Sequence, residues 1–118
     1  ITKVLNHGPW MAKLNADGDE VLWEQAFGEA EAIYNPRTIE ETPQGDLLAG
    51  GKNAVGAMAL AKFTGNGGLL WTYSLPDTFP DATVNDLALT EDGGCVLVGS
   101  SVTATTVVAK IVNVFPVE

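Results

Sequence analysis

Apolar and polar positions along this chain group into short runs of five to seven residues, separated by clusters rich in Gly, Asn, Asp, Thr and Pro. The clearest unit is Met58-Ala59-Leu60-Ala61-Lys62-Phe63, then Thr64-Gly65-Asn66-Gly67-Gly68, then Leu69-Leu70-Trp71-Thr72-Tyr73. Two β-prone runs around residues that tolerate a left-handed backbone predict a hairpin. Ala12-Lys13-Leu14 with Val21-Leu22-Trp23 is an earlier copy, and Ala109-Lys110-Ile111 opens a later one.

The copies keep a fixed spacing. Lys13, Lys62 and Lys110 stand 49 and then 48 residues apart, while Trp23 and Trp71 are 48 apart. Thr90-Glu91-Asp92-Gly93 repeats Thr42-Pro43-Gln44-Gly45 at the same interval, and Cys95-Val96-Leu97-Val98-Gly99 follows as Leu47-Leu48-Ala49-Gly50-Gly51 does. A recurrence in this range is the mark of a solenoid, a propeller or an array. The predicted strands cover residues 10–14, 21–27, 38–42, 45–51, 58–63, 69–73, 83–89, 95–99 and 107–112. In the second of them Val21 and Trp23 are expected on one face. Residues 28–37 read as a loop with at most one helical turn, because Asn35-Pro36 stops the helical propensity of Glu29-Ala30-Glu31-Ala32. Short connections without a convincing helix suit antiparallel up-and-down pairing. The units run approximately 10–37, 38–82 and 83–118 within a single repeat region over 1–118.

The phrases Ala59-Leu60-Ala61-Lys62-Phe63 with Asn66-Gly67-Gly68-Leu69-Leu70-Trp71, and Thr90-Glu91-Asp92-Gly93-Gly94-Cys95-Val96-Leu97-Val98-Gly99-Ser100, resemble the repeats of bacterial secreted β-propellers. More remotely they are similar to the tryptophan-docking blades of quinoprotein-type propellers, although Asn15 and Thr64 replace the Asp that precedes the turn there. The resemblance implies an all-β fold of propeller-like, four-stranded antiparallel blades, with about two to two and a half blades in the chain against about 4 to 8 in a closed ring. Lys13, Lys62, Lys110, Trp23 and Trp71 are then repeat-packing positions. A chain with so few blades leaves apolar blade faces and edge strands to cover, which points to identical copies of itself or to further blades of the same protein as partners.

Charge narrows the partners. Six Lys and Arg against fifteen Asp and Glu give a net charge of −9, which repels phosphate backbones and anionic lipid, so nucleic acid is not an expected partner. No apolar run approaches the roughly 20 residues of a spanning helix, and membrane insertion is not expected. The one cysteine, Cys95, cannot form an internal disulfide and sits in an apolar run that suits an inert core thiol. An acidic, Gly-rich and Thr-rich β chain leans toward an extracellular or cell-surface location.

Candidate chemistry is sparse. Asn15-Ala16-Asp17-Gly18-Asp19-Glu20 resembles the opening of a calcium loop, with Asn15, Asp17 and Asp19 as the oxygen donors; Glu20 replaces the Gly at the sixth position and Ala26 stands where the bidentate Glu belongs. A hairpin turn is the reading favoured over that site. His7 has no second histidine or adjacent acid to work with. Glu40-Glu41 and Glu91-Asp92 are adjacent on strands or turns, so their carboxylates point apart instead of flanking a substrate. Trp10 has no counterpart in the other repeats, which singles it out as a candidate ligand contact. No acid, base and nucleophile occur in a combination that a reaction class requires, and no cofactor is expected. The chain reads as a non-enzymatic structural or adhesive module that self-associates into a ring or filament, or belongs to a larger propeller. The alternatives are a fragment of a quinone-dependent dehydrogenase propeller and a carbohydrate-binding propeller.

Overall fold

The computed structural model describes residues 10–26, 33, 35–53, 56–75, 82–101 and 106–117. Among these residues nine strands follow one another: β1 Trp10–Leu14, β2 Val21–Ala26, β3 Asn35–Glu41, β4 Leu47–Lys52, β5 Met58–Phe63, β6 Leu69–Ser74, β7 Ala82–Leu89, β8 Cys95–Ser101 and β9 Thr106–Ile111. They form three antiparallel sheets in strict sequence order, β1-β2, β3-β4-β5-β6 and β7-β8-β9. The fold is all-β, and no helix occurs among the described residues. His7 and Glu29-Ala30-Glu31-Ala32 lie outside them.

One turn design recurs. Thr42, Thr64 and Thr90 each accept through the hydroxyl from the backbone N–H four residues on, at 3.1, 3.0 and 3.2 Å. The glycine three residues on donates its N–H back to the threonine carbonyl, and Gly45, Gly67 and Gly93 all carry positive φ. This is a three-residue loop whose last residue is left-handed, a standard partner of twisted antiparallel strands. Asn53 builds the same turn toward Gly56 with its amide oxygen, accepting from the Ala57 N–H at 3.0 Å.

The middle sheet is covered on both faces, which is why β5 is buried at all six positions. Alternation sends Ala59, Ala61 and Phe63 into a cluster with Met11, Ile33 and Ala49, against the β1-β2 sheet. The opposite face sends Leu48, Met58 and Leu60 into a cluster with Ala82, Val84, Leu87, Cys95 and Leu97 of the third sheet. The inner strands meet closely, since a Cβ on Gly50 would stand 2.9 Å from Val84 Cγ1.

Two local expectations change. β3 begins at Asn35 and not at Thr38, so residues 35–37 of the first unit belong to the second sheet; likewise Ala82 opens the third. Pro36 is tolerated because β3 is the edge of its sheet and the pairing shifts between Pro36 and Thr38. Val21 and Trp23 fall on opposite faces, because the register skips a residue between the pairs Leu14–Val21 and Lys13–Trp23. The same skip separates Phe63–Leu69 from Lys62–Trp71.

Candidate functional site

The repeat positions place the sheets in equivalent roles. Trp23 lies half-buried between the first and second sheets, and its indole N–H donates to the Gly65 carbonyl at 3.1 Å, in the hairpin joining β5 and β6. Trp71 packs on the cluster between the second and third sheets and lines a groove of about 450 Å³ with Lys110, Asn113 and Val114. The segment at 112–115, which Trp71 faces, is the counterpart of the hairpin Trp23 faces. Trp23→Phe keeps the ring contact and loses the hydrogen bond; the expected cost is about 1 kcal/mol, checked by urea unfolding.

The three lysines share a register but not an environment. Lys62 is only 7% exposed. Its ammonium donates to the Val114 carbonyl at 2.9 Å and stands 3.8 Å from the Asp46 carboxylate, so a side chain of the second sheet is tied to the end of the third. Lys110 is exposed and pairs with Asp92 at 2.6 Å. Lys13 is exposed. The burial of Lys62 was not legible in the sequence, where a lysine in an apolar run reads as a solvated position.

Asp92 also accepts from the Thr90 hydroxyl, and its pKa is lowered to about 2 from 3.8, chiefly by the hydrogen bond from Lys110 and then by the one from Thr90. The folded-state value lies below the unfolded one, so this support is present above pH 3.8 and is lost as pH falls toward about 2. A carboxyl titration by NMR is expected to place the Asp92 midpoint near 2 and to return it toward 3.8 in Lys110→Met.

In the β1–β2 hairpin, Asn15 Oδ1 accepts the backbone N–H groups of Asp19 at 3.0 Å and Glu20 at 3.3 Å, while its Nδ2 donates to Asp19 Oδ1 at 2.8 Å. Asn15 and Asp19 thus spend their side chains on the turn, and Asp17 is exposed beside them. Among the described residues no group of three or more His, Cys, Asp or Glu side chains is gathered closely enough to hold a metal ion. Cys95 is fully buried, and desolvation raises its pKa. Thiolate chemistry is correspondingly disfavoured.

The sequence predicts apolar faces left to cover but assigns no residues to them, and the structure supplies two open sheet faces. On the third sheet, Cys95, Leu97 and Val107 point to the second sheet, while Val96, Val98 and Val108 are exposed on the far side. Those three occupy the positions of Leu48, Gly50 and Leu60, which in the second sheet are fully covered by the third. At the other end, Met11 points inward, and Trp10, Leu14 and Val21 are exposed on the outer face of β1-β2. A comparison of both strand alternations at the repeat interval would have found these residues. No family model, curated protein or solved structure matches this chain.

Proposed function

We propose that this chain is a non-enzymatic, extracellular structural or adhesive module, built of propeller-like blades and working by association with like sheets. On this reading the three sheets are successive blades, the outer two carrying two and three strands among the described residues. The observation that carries it is the equivalence of Val96, Val98 and Val108 to Leu48, Gly50 and Leu60: a face that one sheet of the chain buries under the next is left open on the last. Contiguous apolar surface of this kind marks an interaction site. Its occupant is a second copy, giving a ring or a filament, or a further blade of the same kind.

The expected result is that the purified chain scatters light as an oligomer at micromolar concentration and images as rings or filaments. A folded monomer at high micromolar concentration would sink the self-association. A carbohydrate-binding reading keeps one observation in its favour, the 62% exposure of Trp10, and a glycan array separates the two.

A further inference from the structure

The two open faces are not alike, and the seams inside the chain state how they fit. At the first seam Met11 of β1 shares a cluster with Ala59 of β5. At the second, Leu60 of β5 shares one with Val107 of β9. Met11 and Leu60 are repeat equivalents, as are Ala59 and Val107, so each seam buries the same position of one sheet in one cluster with the same position of the next. Carried one step on, Leu60 becomes Val108. The equivalent of Ala59 and Val107, to be buried in the same cluster, is Trp10.

A polar contact crosses the second seam, whereas the equivalent lysine of the first seam, Lys13, is exposed. Lys62 reaches the Val114 carbonyl in the segment after β9. Lys110 is the equivalent of Lys62, and the equivalent of that segment in the first sheet is the β1–β2 hairpin, Asn15-Ala16-Asp17-Gly18-Asp19-Glu20. This hairpin differs from Thr64-Gly65-Asn66-Gly67-Gly68 in carrying three carboxylates. A cation on one open face therefore stands in register with an acidic turn bordering the other, in a molecule whose net charge of −9 opposes unguided contact.

We infer that copies of this chain join head to tail, the outer face of β7-β8-β9 receiving the outer face of β1-β2 of a second copy, with Val108 against Trp10 and Lys110 against the Asp17–Glu20 turn. The inference rests on the self-association reading above and adds its direction, register and specificity residues. The interface is heterologous, so each copy offers one donor face and one acceptor face and growth continues until a ring closes.

The test uses the whole chain with one face blocked at a time. Val108 is 69% exposed and Trp10 62%, so Val108→Glu and Trp10→Glu block association without entering the core. Each variant alone is expected to sediment as a monomer with an unchanged circular-dichroism melt. An equimolar mixture is expected to form a 1:1 dimer, because one keeps an intact β1-β2 face and the other an intact β7-β8-β9 face. Lys110→Glu is expected to weaken association on the order of tenfold, and the Asp17→Lys, Glu20→Lys double variant to restore it. If wild type associates but either blocked variant still dimerises alone, or the mixture stays monomeric, the head-to-tail register is wrong and self-association stands. If wild type itself stays monomeric, both fall together.

Discussion

Gly51→Ala and Gly99→Ala are each expected to cost about 2–3 kcal/mol, which for a domain of this size is roughly 8–20 °C in melting temperature. A Cβ at Gly51 would stand 2.1 Å from the Asn35 carbonyl oxygen and 2.8 Å from Ile33 Cγ2. At Gly99 it would stand 2.1 Å from the Thr83 carbonyl oxygen and 2.6 Å from Met58 Cε. The two glycines are repeat equivalents, as are Asn35 and Thr83, and each pair lies at the bulge where the first strand of a sheet slips register against the second. The obstacle is backbone, which cannot rotate away as a side chain would, so the strands must part. Gly68→Ala is the control: the new methyl meets only Thr64, at 3.3 Å from Oγ1, and its effect is expected within about 1 kcal/mol of zero. Thermal melts of the three variants decide it, and equal effects at all three would remove the steric account.

Lys62→Glu is the second large effect, at about 3–5 kcal/mol, since it leaves a buried charge facing Asp46 and the Val114 carbonyl without a cation between them. Lys62→Met keeps the apolar stem and removes the donor, and its expected cost is about 1–3 kcal/mol. Lys110→Glu at the equivalent exposed position is expected to shift the stability of the isolated chain by less than about 1 kcal/mol. Urea unfolding orders the three. If Lys62→Glu and Lys110→Glu unfold at the same midpoint, the tie between the second and third sheets contributes nothing to stability.

The strand count and order were legible because Gly, Asn and Thr punctuate every hairpin and the lysine and tryptophan positions keep their interval. What escaped was anything decided by a single inserted residue. Residues 35–37 look like the tail of a loop because proline argues against a strand, yet an edge strand with a bulge accommodates it. The Val21–Trp23 alternation fails for the same reason one hairpin earlier. The open faces were half visible. Cys95 to Ser101 alternates inward and outward, but Val96 and Val98 on the outward side are as apolar as Leu97 on the inward one, so hydropathy alone cannot tell the covered side from the open side. Only the comparison with Leu48 and Leu60, whose cover is present, makes the distinction. Lys62 was seen as a recurrent residue, but its burial depends on a carbonyl more than fifty positions later.

A glycine and a tryptophan also give the second seam an uneven thickness. Gly50 on the inner strand β4 lets β7 come close, whereas Trp71 on β6 sets an indole ring on the cluster between the second and third sheets. The spacing of these two sheets is thus set by a hydrogen atom at one strand and by an indole at another. Under the association proposed above, a copy added with the same spacing would turn the row by a constant angle, and that angle would decide between a circle and an open spiral.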